Sequence, residues 1–199
     1  MSSQPTTHLH AFLTVAHAVI SKHAPHEHVL TQELQHLLES KHSNDGVFRK
    51  STHAITEHLG EALLHDVDST KPLVETLALV AHFLPWRQAD GETSKSAHAA
   101  RRAAIADLVG PLGPFHSDKV NIGVTLIASN TLCPSHHHPV AELAHIVAGN
   151  ATWIIGGIPR RVQAGAFIVT SPQAVHAIHT EQEPLLALCL RKLDSNGVL

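Results

Sequence analysis

The sequence predicts a mainly β chain in which a small β-barrel follows an N-terminal α-helical region. Two textures predict it. From His8 to about Leu84 apolar residues recur every three or four positions, the spacing of one buried helix face. After Pro111-Leu112-Gly113-Pro114 the chain becomes a series of short β-branched runs separated by Gly and Pro. A hydrophobic content of 43% with 16% charged residues suits one packed soluble domain carrying an extension. The division expected is 1–110 for the helical region and connecting loop, and 111–199 for the barrel.

Four amphipathic helices fit the first part. Their apolar positions are Leu9, Phe12, Leu13 and Ala16, then Val29, Leu30, Leu34, Leu37 and Leu38, then Ile55, Leu59, Leu63 and Leu64, and finally Leu73, Leu77, Val80 and Phe83. Breaks are expected at Ala24-Pro25, at Ser43-Asn44-Asp45-Gly46 and at Asp68-Ser69-Thr70, where Asp, Ser or Thr could cap the next helix. Ala89 to Ala97 reads as an exposed loop. In the second part VNIGVTLIAS (120–129), ELAHIVAG, ATWIIGG, FIVTS, VHAIHT and PLLALCLRK read as strands, and Gly149 falls at the expected hairpin turn between the second and third. So many short strands suggest a sandwich or a small barrel.

Composition excludes several functions. The net charge is -3 with His neutral and no basic stripe occurs, which argues against nucleic acid. No apolar run of about 18 residues is present, and MSSQPTTHLH lacks the basic-then-apolar order of a secretion signal. A cytoplasmic protein with no membrane partner is expected. Cys133 and Cys189 are the two cysteines, too few for a disulfide framework. Tyrosine is absent.

With 20 His in 199 residues, a histidine pair by itself means little, so spacing must discriminate. The segment SHHHPVAELAHIVAG (135–149) places His136 and His138 two apart and Glu142 four further on. On one strand these three share a parity and would project to one face. A second segment, GAFIVTSPQAVHAIHT, supplies a strand, a turn at Pro172 and then His176. Three imidazoles and a carboxylate suit a divalent ion of Zn, Fe, Mn, Co or Ni, with open positions for water or a small-molecule substrate. His137, His145 and His179 break the parity of their neighbours and read as surface or supporting histidines. His8, His10, His26 and His28 have near-ligand spacing without a carboxylate and read as ordinary surface histidines.

The pattern HxHxxxE, six residues, Gly, and later G…PxxxH resembles the two motifs of the cupin superfamily. The resemblance implies a jelly-roll barrel with His136, His138, Glu142 and His176 as the metal ligands. FLPWRQ (83–88), the segment 110–153 and VHAIHTEQEPLLALCLRK (175–192) together resemble the bacterial cupin-type dimethylsulfoniopropionate (DMSP) lyases. Those lyases hold a substrate carboxylate near the metal while a base removes the α proton, and the carbon-sulfur bond breaks to release dimethyl sulfide and acrylate.

The chain departs from this family where a base is expected. Family tyrosines fall at positions that here read Ala144 and Cys133, a common Trp reads Arg191, and an Arg reads His179. Cys133, His145 and His179 are the substitutes the sequence offers as a base, although a buried structural role accounts for Cys133 as well. Trp86 and Arg87 could cover the barrel mouth or dock the helices. Besides weak or altered DMSP cleavage, two readings stay open: a sugar isomerase resembling the cupin lyxose isomerases, and a non-catalytic cupin that binds metal or a small ligand. The resemblance also allows a homodimer.

Overall fold

The computed structural model describes residues 4–24, 26, 28–40, 48, 50–89 and 102–193. The break expected at 43–46, Pro25 and nearly all of the 89–97 loop lie outside the described residues. Helices come first: α1 (Gln4–His23), α2 (His28–Glu39), α3 (Leu59–Ala62), which continues a 3₁₀ turn over Ala54–His58, and α4 (Lys71–Ala78). The stripes are largely buried, for example Leu9, Phe12, Leu13 and Ala16 of α1 and Leu73 and Leu77 of α4, but Val29, Leu64 and Phe83, expected in them, are exposed. Thr70 does stand at the N-cap of α4, but its hydroxyl turns back to the Val67 backbone instead of capping, and Pro72 lies in the first turn.

Among the described residues nine strands follow, all paired antiparallel: β1 (Arg87–Gln88), β2 (Ala103–Val109), β3 (Val120–Ile127), β4 (Thr131–His136), β5 (Glu142–Ile155), β6 (Ile158–Gln163), β7 (Phe167–Thr170), β8 (His176–Thr180) and β9 (Leu185–Lys192). Their order is β1-β2-β3-β9-β5-β8-β4, with β6 and β7 also paired to β5. The long strand β5 joins the two layers. Its first half pairs with β7 and β9, its second half with β6 and β8.

This corrects the expectation of two strands with a hairpin turn at Gly149. The segment 142–155 is one strand, and Gly149 lies within it just beyond a register shift between Ile146 and Ala148. One extra residue there is a β-bulge, which bends the strand and lets it pass from one layer to the other. Gly149 has φ +77 and lies against the Pro184 carbonyl, so both its conformation and its surroundings require a residue without Cβ.

Alternation along the strands sorts the core into two clusters. Ala104, Ala106 and Leu108 of β2, Val120, Ile122, Val124 and Leu126 of β3, and Leu186, Leu188 and Leu190 of β9 pack in one cluster with the helical stripes. The intervening residues, among them Ile127, Ala144, Ile146, Leu185, Ala187 and Cys189, face the barrel interior with Trp153 and Ile178. Helices therefore cover one outer face of the sheet, and both faces of β2, β3 and β9 are buried, which is why these strands read as nearly continuous apolar runs. Trp86 docks the helices: it is buried, and its indole N–H donates to the Ala81 carbonyl at 2.7 Å. Two of the N-terminal histidines serve the same packing, with His10 bonded to the Leu38 carbonyl and His8 to that of Leu79.

No helix among the described residues is long and apolar enough to cross a membrane.

Candidate metal centre and cavity

The barrel interior opens into a cavity of about 320 Å³. Its wall includes His136, His138, His176, Glu142, Arg191, Cys133, Cys189, Trp153 and Arg87. His136 ends β4 and His176 begins β8, and the two are direct cross-strand partners. His138 and Glu142 reach the same place by another route. The chain leaves β4 after His136, so His138 lies in the loop and Glu142 begins β5. Shared strand parity is thus not what gathers these residues, contrary to the sequence expectation. A turn does it, fixed where the Gln173 backbone N–H donates to the His138 carbonyl at 2.8 Å.

One ring nitrogen from each of His136, His138 and His176 lies within 4.8 Å of the others. Ring centroids are separated by 4.2 Å for His136 and His176, 5.1 Å for His136 and His138, and 5.2 Å for His138 and His176. The backbone fixes two of the tautomers. His136 Nδ1–H donates to the Pro134 carbonyl at 2.9 Å and His176 Nδ1–H to the Ala174 carbonyl at 3.0 Å, because a carbonyl can only accept. Each Nε2 is left with its lone pair. Metal-binding histidines are commonly oriented by such bonds on the other nitrogen.

Burial, and after it the Arg191 guanidinium, pushes the His138 pKa down to about 4. Burial also lowers that of His176. These imidazoles are neutral at pH 7, as metal binding requires. The residues present therefore fit a divalent ion, and the triad could bind one.

Glu142 is 3% exposed, and its Oε2 lies 3.9 Å from His138 Nε2. The same oxygen accepts from Arg191 Nε at 2.7 Å and from Arg191 Nη2 at closer range. Arg191 Nη2 also lies 3.2 Å from His138 Nε2. Sequence reading registered Arg191 only as a departure from a family Trp. A signal for its place was available, because Leu185, Ala187, Cys189 and Arg191 share one parity of β9. At the mouth, Arg87 binds the buried Asp107, which also accepts from Asn121 Nδ2 at 3.0 Å. Trp153 stacks nearly parallel to His176 at 6.4 Å, so it is both core and wall.

Of the three residues offered as a base, Cys133 alone lines the cavity. Burial pushes its thiol up to about 11. His179 is exposed on β8, away from the cavity wall. His145 stacks on Phe167 at 4.1 Å, toward the helices, and its Nδ1–H donates to the Ala166 carbonyl at 3.2 Å. His137 is exposed at the rim.

His145 Nε2 is buried without a hydrogen-bond partner among the described residues. Burial lowers the His145 pKa, against the raising effect of the Ala166 bond and together with nearby His23. Its folded-state pKa is below the ordinary 6.5, so the unfolded chain takes the proton more readily. The stability His145 permits is complete above 6.5 and declines as pH falls from there toward the folded pKa. His145→Phe is expected to lose less melting temperature than wild type between about pH 7 and pH 5, read by thermal denaturation at each pH. Parallel profiles would assign the acid sensitivity to other groups.

Comparison with known proteins gives these features a family. The dimethylsulfoniopropionate lyase family matches residues 10–187. The dimethylsulfoniopropionate lyase DddQ of Ruegeria pomeroyi is 32% identical over 110 residues, which cover 55% of each chain. The provisionally assigned lyase DddL of Cereibacter sphaeroides is 30% identical over 127 residues, covering 63% of this chain and 53% of that protein. The matches thus span about half the length of these relatives. In three dimensions the crystal structure of DddQ from Ruegeria pomeroyi aligns with 93% of this chain and 92% of its own at a TM-score of 0.75 and 22% identity. That likeness shows a shared fold, a cupin jelly roll behind N-terminal helices.

Proposed function

Because the chain belongs to the dimethylsulfoniopropionate lyase family, we propose that it is a metal-dependent carbon-sulfur lyase acting on a small carboxylate, with DMSP the first substrate to test. The observation that carries this reading is the convergence of His136, His138 and His176 on one wall of an interior cavity, with two tautomers set for Nε2 donation. His136, His138 and His176 would hold the ion, with Glu142 beside them. A bound divalent ion supplies Lewis acidity that stabilises negative charge on a substrate carboxylate.

The chain's own residues define the rest. Arg191 and Glu142 are bonded to each other on one wall, so the cavity a small carboxylate would enter is bounded by a closed ion pair. Elimination requires a base to take the α proton. The C–H electrons then form the double bond while the carbon-sulfur pair leaves with dimethyl sulfide, giving acrylate and one proton. Cys133 is the cavity residue nearest to that role in family position, but burial pushes its thiol up to about 11, which works against the thiolate a base would need. Wild-type turnover is therefore expected to be slow. The same burial of the thiol favours the second reading, a cupin that binds metal or a small ligand without turnover.

One substitution separates the two. Cys133→Tyr puts a phenol on the cavity wall, whereas Ala144 is 1% exposed among Ile146, Trp153 and Ile178 and is not a wall residue. Added volume at Ala144 would overpack the core at a cost of about 1–3 kcal/mol. Metal-loaded Cys133→Tyr, its phenol pKa lowered by the cation beside the wall, is expected to release acrylate about 10²-fold faster than wild type, the lower range for a placed general base. A variant that folds, keeps its metal and gains nothing would favour the binding protein. Fast wild-type release would mean that another group already takes the proton.

A further inference from the structure

We infer that Arg191 keeps Glu142 out of the metal's ligand set, so that a metal in this protein is held by His136, His138 and His176 alone with the Arg191 guanidinium at its edge. The inference rests on the metal reading above and goes beyond it, since the cupin resemblance implies that Glu142 is a ligand. Glu142 opens β5 and Arg191 lies directly opposite it on β9. Strand register thus aims the two side chains at each other, and the pair does not depend on a long flexible reach.

The geometry at the carboxylate is specific. Both Arg191 donors, Nε and Nη2, converge on Oε2, and Oε2 is the oxygen that faces His138. An oxygen already holding two charge-assisted N–H bonds is a poor further donor, and at 4% side-chain exposure little water can replace those bonds if they break. Among the described residues the mutually close ligand group contains the three histidines and leaves Glu142 out. Arg191 Nη2 also approaches His138 Nε2, one of the two ring nitrogens that could meet an ion. A fixed positive charge there opposes a second cation directly.

Two consequences follow for a variant without the guanidinium. The positive charge at the edge of the site disappears, and the Glu142 carboxylate is released beside an open position. Both changes tighten metal binding. Arg191→Met keeps comparable bulk without charge, and Arg191→Lys keeps the charge while losing the planar fork that holds Oε2.

The test is titration of metal-free protein with Co²⁺, followed by affinity and by the visible d–d spectrum, which reports the number and type of ligands. Arg191→Met is expected to bind Co²⁺ about tenfold more tightly than wild type or better, with a changed spectrum. Glu142→Gln in the Arg191→Met background should return the spectrum toward wild type, while Glu142→Gln alone should leave the wild-type spectrum nearly as it was. The inference alone is overturned if wild type and Arg191→Met share one spectrum and affinity, or if Glu142→Gln alone shifts the wild-type spectrum. Wild-type protein that takes up no Co²⁺ overturns the metal reading and the inference with it. Should Arg191→Met fail to fold, Arg191→Lys carries the comparison, with a spectrum shifted from that of wild type expected and one equal to that of wild type overturning the inference.

Discussion

Replacing His176 with Ala is expected to abolish stoichiometric metal binding while leaving the fold in place. His176 is 2% exposed, its Nδ1–H is tied to Ala174, and it pairs across strands with His136 and stacks beneath Trp153. Its Nε2 is held in position before any ion arrives. Losing a group that merely orients a ligand costs about 10–100-fold in metal affinity, so losing one of three ligands should exceed that range. Elemental analysis after gel filtration should fall from near one metal per chain to less than about one-tenth. Unchanged metal content, with an unchanged melting temperature, would place the site elsewhere among the 20 histidines.

The second large effect belongs to the backbone. A Cβ added at Gly149 would lie 1.7 Å from the Pro184 carbonyl oxygen and 2.9 Å from its carbon. Those atoms are backbone, in the turn before β9, and no side-chain rotation relieves the overlap. Gly149→Ala is therefore expected to destabilise the protein by at least about 3 kcal/mol, the sum of a φ of the wrong sign and a steric conflict that must displace a strand. Gly157 provides the control. Its φ is +82, yet a Cβ there meets nothing within 4 Å, so Gly157→Ala bears the conformational cost of about 1 kcal/mol alone. Urea denaturation of both variants measures the difference. Equal losses would mean that the close approach of β5 to Pro184 is not a constraint on the fold.

The contrast between these two glycines explains much of what the sequence could and could not reveal. Helical periodicity was the more legible signal, because Leu9, Phe12, Leu13 and Ala16 are spaced by the helix itself and all are buried in the core shared with the sheet, while Val29, Leu64 and Phe83 of the expected stripes are exposed. Gly149 falls at the expected hairpin turn and Gly156-Gly157 at the end of the expected strand ATWIIGG, yet Gly156 and Gly157 form the hairpin between β5 and β6, while Gly149 follows a bulge. Locally a bulge and a turn use the same residue for the same reason, a positive φ. What separates them is the strand lying opposite, which the local sequence does not contain.

Strands β2 and β4 escaped for related reasons. Ala103–Val109 is rich in Ala, a weak strand former, and is held by pairing with β3 and burial of both faces. Thr131–His136 contains Pro134 beside a register shift, where a ladder can do without one N–H. The histidine triad was legible as a set because motif order does not depend on where a strand ends. Its geometry was not, since His138 arrives through a loop. Arg191 shows the limit most clearly. Its inward parity could be read from β9 alone, but its meeting with Glu142 depends on a register between strands 49 positions apart in sequence.

The most direct test of the metal centre is anomalous diffraction from crystals of metal-loaded protein, collected on either side of the absorption edge of the bound ion. The strongest anomalous peak is predicted in the cavity, about 2.0–2.3 Å from ring nitrogens of His136, His138 and His176 together. A strongest peak among the helical histidines, or a loaded crystal whose triad carries no anomalous density, would contradict the account.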